Sequence, residues 1–137
     1  MREEVHLRLS KTDAEIAHGC MVEWRYNRQL IVEEDEPGFQ RRDSFPAQFA
    51  LDLLVTNDPQ RALKIAFHIA RRAENEGDLI ALGVGPLTDL VDADPALWKE
   101  VEAEVETNPK LLRAVGRIYE TVVPDELRTV YERSIGR

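Results

Sequence analysis

Proline placed directly after a small acidic or amide residue constrains this chain more than any other feature. Asp58-Pro59, Asp94-Pro95 and Asn108-Pro109 recur along it, and Val123-Pro124 follows near the end. Proline lacks an amide hydrogen and has a fixed φ, so the first helical position is where it does least harm. Asp and Asn suit the position before it, because a side-chain oxygen there accepts from amides of the first turn. After each pair, apolar residues return every three or four positions. The sets are Leu63, Ala66, Phe67, Ala70 and Ala73; Leu97, Val101 and Val105; Leu111, Leu112, Val115, Ile118, Tyr119 and Val122; and Leu127, Val130 and Tyr131. That spacing belongs to amphipathic helices. The helix starts at 58, 94 and 108 are unevenly separated, which argues against a solenoid repeat.

The first half of the chain carries similar signals. Ser10 is the expected cap of a first helix, with Asp13 in its first turn. Ile16, Cys20 and Trp24 form its apolar face, with Ala17 and Met21 on the adjoining ridge. Gly19 either weakens this helix or lets a neighbour approach closely. The run Glu33-Glu34-Asp35-Glu36-Pro37-Gly38 combines mutual repulsion with a turn signal, so an exposed acidic loop is expected over about 34–43. Ser44 is the expected cap of a second helix, whose stripe reads Phe45, Phe49 and Leu53. Gly77 is the expected C-terminal cap of the third helix. Period-two alternation is confined to Val5–Leu9. Together these features predict one all-α domain over 1–137, a compact bundle of six to eight helices with mostly antiparallel neighbours.

The run Leu79 to Val91, LIALGVGPLTDLV, admits two readings. A phosphate-gripping loop is disfavoured: the Gly-x-Gly-x-x-Gly spacing is missing, Pro86 removes a donor, and Asp89 and Asp92 repel anions. A structural hinge fits better. In that reading Gly83 takes a positive φ and ends one helix, Gly85 caps the next, and Pro86 is its first residue. Asp89 then lies where the new helix dipole favours an acid.

This same run resembles an uncharacterised family of small bacterial helical proteins, a domain of unknown function. The likeness lies in Asp58-Pro59 through Ala73, in LGVGPLTDLV, and in the acidic helix followed by Asn108-Pro109 and LLRAVGRIY. It spans about residues 12–120. The family usually has Glu where this chain has Thr88, which weakens any case for a catalytic acid there. The resemblance implies a helical fold and supplies no activity.

Charge and chemistry narrow the function. The chain holds 26 acidic and 18 basic side chains, a net of −8. Direct binding to nucleic acid or to an anionic membrane needs clustered Lys and Arg, so both are disfavoured. The charge is uneven, at −7 over 45–107 and +2 over 108–137. Glu100, Glu102, Glu104 and Glu106 project from the helix that buries Leu97, Val101 and Val105, and read as an acidic ridge. Trp98 lies beside that stripe and is the expected aromatic anchor of a contact, since Trp is enriched at interface hot spots. A single cysteine, no signal-peptide pattern and no long apolar run fit a cytoplasmic protein.

No metal, cofactor or nucleophile motif is found among His6, His18, His68 and Cys20. Glu15, Glu23, Asp52 and Asp89 lie on or beside apolar stripes. A pair of them in one pocket would permit acid–base work, whereas surface ion pairs with Arg25, Arg28 or Lys64 are the simpler outcome. The leading expectation is therefore an acidic module that binds a basic protein, in a toxin-neutralising, immunity-like or other regulatory role, with the enzyme question left open and leaning against one. The alternatives are a small-ligand protein or enzyme with a carboxylate site between helices, and a mimic of nucleic acid. No cofactor or metal is expected.

Overall fold

A computed structural model describes residues 11–33 and 45–118, together with Asp125 and Thr129; side chains 27–33 are not described. The expected acidic loop at 34–43, the caps Ser10 and Ser44, the alternation at Val5–Leu9 and the helix after Pro124 lie outside these residues, apart from Asp125 and Thr129, both helical. The fold is all-α, with about six helical segments and no strand among the described residues.

Helix α1 (Asp13–Glu33) opens with a capping box. Thr12 Oγ1 accepts from the Glu15 amide at 3.1 Å, and Glu15 Oε1 accepts from the Thr12 amide at 3.2 Å. Two otherwise idle amides are thereby satisfied reciprocally. The cap lies two positions beyond the expected Ser10. Ile16, Ala17, Cys20, Met21 and Trp24 are all buried, as their spacing requires.

Helix α2 (Pro46–Asn57) differs from expectation. Its buried residues are Ala50, Leu51 and Leu54, while Phe49 is 42% exposed. The cause is Gly19 of α1: a β-carbon there would sit 2.6 Å from the Ala47 β-carbon. Bare backbone lets α2 press its smallest side chain against α1. That turns the Ala47–Ala50–Leu51–Leu54 face inward and rotates the Phe45–Phe49–Leu53 ridge away from the core.

Helix α3 (Pro59–Arg72) begins as its Asp-Pro pair predicts, with Asp58 Oδ1 accepting from the Arg61 amide. It buries Ala62, Leu63, Ile65, Ala66, Ile69 and Ala70. This face is broader than the expected stripe because α1, α2 and later helices all pack on α3. Gly77 does not end it. Ala73 does, and Lys110 Nζ donates to the Ala73 carbonyl at 2.7 Å. A distant lysine thus does what a glycine cap was expected to do. Asn75 then caps α4 (Glu76–Leu82), accepting from the Asp78 amide at 3.0 Å, so Gly77 lies inside α4.

The glycine–proline run is not a break. Leu82, Gly83, Leu87 and Thr88 all have right-handed helical φ and ψ, and Gly83 has φ −68°. A π turn (Gly83–Leu87) joins α4 directly to α5 (Thr88–Ala93). Pro86 cannot donate to the preceding turn, and the wider i→i+5 pairing of a π turn accommodates it without ending the helix. Thr88 Oγ1 donates to the Gly83 carbonyl at 2.6 Å, adding a side-chain bond across the turn. Gly85 therefore caps nothing, and Asp89 gains no free helix start beside it. Gly83 serves another purpose, since a β-carbon there would lie 2.1 Å from the Ala114 carbonyl oxygen. Glycine is needed for close approach, not for an unusual backbone.

A 3-10 turn (Pro95–Leu97), capped by Asp94 on the Ala96 amide, leads into α6 (Trp98–Val105). Helix α7 (Pro109–Val115) closes the described core with Leu111, Leu112, Ala114 and Val115, and packs on α3, α4 and the π turn. No helix among the described residues is long and apolar enough to cross a membrane.

The two glycines of the run make opposite predictions. Gly83→Ala should destabilise the protein by about 1–3 kcal/mol, the cost of overpacking. Gly85→Ala meets nothing within 4 Å and should leave stability level or raise it by up to ~1 kcal/mol through helix propensity. Thermal unfolding of the two variants checks this. The reverse order would restore the hinge.

Candidate functional site

Two carboxylates are removed from water and held by different elements. Glu23, 2% exposed, leaves α1 and meets the start of α2. Its Oε2 accepts from the Ala47 amide at 2.8 Å and its Oε1 from the Gln48 amide at 3.0 Å. Phe45, the residue before α2, contributes no side-chain cap, so an acid from another helix fills that role. A negative charge is favoured there by the helix dipole and by the unpaired amides. The next residue continues the join: Trp24 Nε1 donates to Gln48 Oε1 at 2.5 Å. Tyr26 and Phe45 pack with ring centroids 6.3 Å apart.

Asp78 in α4 is fully buried, and Arg25 of α1 holds it in a fork. Arg25 Nε lies 3.3 Å from Oδ1 and a terminal guanidinium nitrogen 2.8 Å from Oδ2. The Glu74 amide also donates to Oδ2, at 3.2 Å. The bond to Asp78 holds the Arg25 guanidinium more firmly protonated than usual. Glu23 and Asp78 are therefore structural anions, each fully occupied by donors.

Cys20, Glu15 and Glu23 do not assemble the expected chemistry. Cys20 is buried, and desolvation, with the charges of Glu23 and Asp52, drives its thiol far above the ordinary range. It is thus no nucleophile at neutral pH. Glu15 and Glu23 line one cavity of about 170 Å³ with Lys11, Ile16, Gly19, Pro46, Ala47 and Ala50. Glu23 is committed to α2, and bonds from the Thr12 backbone and then its hydroxyl hold the Glu15 carboxyl below its usual range. A Glu15 so lowered is no general acid at neutral pH. No metal-holding cluster occurs among the described residues. Of the expected ion-pair partners, Arg25 pairs with Asp78 and also lies 3.7 Å from Glu74. Arg28 lies outside the described side chains.

The acidic ridge of α6 divides into two faces. Glu100 accepts from Gln60 at 3.0 Å, while Glu104 pairs with Arg71 and accepts from Asn108 at 3.1 Å. Both are turned toward α3. They border a groove of about 250 Å³ with Gln60, Leu63, Lys64, Phe67 and Arg71. Glu102 and Glu106 face solvent. Residues four apart share a ridge and those two apart do not, which separates 100 and 104 from 102 and 106. Trp98 is only 7% exposed. It lies three positions before Val101, hence on the same buried side, and is a core residue instead of the expected exposed anchor.

A different acidic cluster lies across two elements. Asp52 of α2 and Asp89 and Asp92 of α5 are exposed, and no cation pairs with them among the described residues. Partial desolvation raises the Asp89 carboxyl above its usual range, and the charges of Asp52 and Asp92 raise it further. Sequence reasoning singled out Asp52 and Asp89, but only for a pocket. Nothing local signals that α2 and α5 bring them near each other.

Comparison with family models, with curated proteins and with solved structures gives no match.

Cys20 gives a direct check on the inert core. In the native protein it should resist an alkylating reagent for as long as the denatured chain needs to react fully. Rapid native labelling would reopen the thiol as a reactive group.

Proposed function

We propose that this chain acts by binding a basic protein, and that Asp52, Asp89 and Asp92 form the contact surface. The observation that carries this reading is their electrostatic state. Exposed Asp52 and Asp92, from two elements, both lie near enough to exposed Asp89 to oppose its charge, and no ion pair with a described cation offsets the three. A partner's Lys or Arg side chains would relieve that repulsion on association, and would be steered toward it beforehand. Glu102 and Glu106 add negative charge on α6. A toxin-neutralising, immunity-like or other regulatory role in the cytoplasm is the form of this activity that suits a small acidic helical chain.

Two other readings have less support. An acid–base enzyme would draw on a pair among Glu15, Glu23, Asp52 and Asp89; the oxygens of the first two already accept from Thr12, Ala47 and Gln48, and the second two are exposed. The two cavities described above, both among the described residues, are each smaller than the roughly 300–1,000 Å³ of typical ligand pockets. A nucleic-acid mimic would need its acids in a row, and Glu100 and Glu104 turn away from Glu102 and Glu106.

The test compares the tagged protein with its D52N/D89N/D92N variant and with E102Q/E106Q as baits in cells of origin, with bound proteins identified. The wild type should retain a basic protein that is released as salt rises. The triple variant should lose it, E102Q/E106Q should weaken it less, and the triple variant should be at least as stable as wild type. Equal capture by the triple variant, or a partner with no basic surface, contradicts the reading.

A further inference from the structure

One carboxylate of the acidic cluster is tied to the interior. Asp52 is exposed, yet Gln48 Nε2, one turn earlier on α2, donates to its Oδ1 at 2.8 Å. The same amide accepts at its other end, where Trp24 Nε1 donates to Gln48 Oε1 at 2.5 Å. Trp24 belongs to α1 and is buried, and Gln48 is half-buried. Two hydrogen bonds thus run in line from the core face of α1, through one side chain of α2, to the protein surface. Their direction is fixed by chemistry. An indole N–H only donates and an ionised carboxylate only accepts. An amide turned the other way would set its NH₂ against the indole hydrogen and its carbonyl against the carboxylate. The main chain of Gln48 is held as well, since its amide donates to Glu23 Oε1 at 3.0 Å.

We infer that Gln48 is the positioning residue of the acidic surface: oriented by Trp24, it fixes the Asp52 carboxylate for an incoming Lys or Arg, an inference that rests on the reading of Asp52 as a contact residue. An exposed aspartate left alone samples several staggered χ1 states. A partner that binds it must freeze them, which weakens association. Here the folded chain does the freezing. The bond from Gln48 engages Oδ1, and no described residue bonds to Oδ2, which is open to a cation.

A Gln–Asp bond between residues four apart is by itself a common support of a helix. The Trp24 bond extends it to α1. Hydrogen bonds in line polarise one another. Loss of the Asp52 acceptor therefore weakens the Trp24 bond, and loss of the Trp24 donor frees the amide that holds Asp52. A pair that only supported α2 would be indifferent to Trp24.

The experiment uses the full chain as wild type, Gln48→Met, Trp24→Phe and Asp52→Ala. Side-chain NMR couplings report whether χ1 of Asp52, and of Asp92 as a control, keeps to one rotamer. Indole proton shifts report on Trp24 and Trp98. Asp52 should hold one rotamer in wild type. Gln48→Met and Trp24→Phe should each release it into averaging and leave Asp92 unchanged. Asp52→Ala should move the Trp24 indole proton upfield and leave that of Trp98 in place. As bait in the capture experiment above, Gln48→Met should retain several-fold less of the basic protein than wild type. An averaged Asp52 in wild type overturns the inference. So does an Asp52 that stays fixed in Gln48→Met or Trp24→Phe, an unmoved Trp24 proton, or equal capture by Gln48→Met. If Trp24→Phe does not fold, the other three forms decide. The couplings need no partner, so the two failures are distinct. A fixed, Trp24-dependent Asp52 with full capture by D52N/D89N/D92N removes the contact surface, and the inference with it. An averaged Asp52 with capture lost in that triple variant overturns the inference alone.

Discussion

Three consecutive side chains of α1 hold this fold in register. Glu23 supplies the cap that α2 lacks, Trp24 bonds to Gln48 one residue further along α2, and Arg25 satisfies the carboxylate that α4 buries. Two anions are taken out of water at this point, and an unpaired buried charge is costly. Each is tolerable only while α1 lies where it does relative to α2 and to α4. The apolar core, from Ile16 to Ile118, supplies cohesion without direction. The polar joins decide which faces meet, Gly19 lets α2 come close to α1 where two of them form, and Gly83 lets the π turn approach the backbone of α7.

That division explains what could be read in advance. Helix starts at Pro59 and Pro109, and the buried stripes of α1 and α7, follow from rules that operate within one or two turns, although Asn108 makes no side-chain cap and donates instead to the Phe67 carbonyl and Glu104. The all-α architecture rests on those rules and was legible. What depended on a residue far along the chain was not. The cap of α2 comes from Glu23, 24 and 25 positions away from the amides it serves. The end of α3 is satisfied by Lys110. The rotation of α2 that exposes Phe49 follows from Gly19, whose close approach was anticipated without its consequence. Trp98 was misplaced for a local reason: its three-residue spacing from Val101 was passed over in favour of Leu97.

The glycine–proline run carries a further lesson. Gly-Pro is read as punctuation because proline ends an α-helix whose hydrogen bonds it cannot join. Here a π turn absorbs the missing donor, Thr88 adds a bond to the Gly83 carbonyl, and the helix continues. Continuity has an effect at the surface, since it carries Asp89 and Asp92 on α5 toward Asp52 on α2. The candidate surface is thus a product of the fold: Asp52, far away in sequence, comes near the Asp89–Asp92 turn of α5. The candidate chemistry of single residues fared worse, because Cys20, Glu15 and Glu23 are each occupied in holding α1 in place.

The most direct test of this account is a double-mutant cycle on Arg25 and Asp78, with stability from denaturant unfolding of wild type, Arg25→Met, Asp78→Leu and the double variant. Arg25 is a third exposed, so its removal should cost about 1–3 kcal/mol, less than a fully buried pair. The double variant should be clearly more stable than the sum of the single losses implies, with a coupling of at least ~1 kcal/mol. Additive losses would contradict the central claim, showing that the buried Arg25–Asp78 pair does not set the register of α1 against α4.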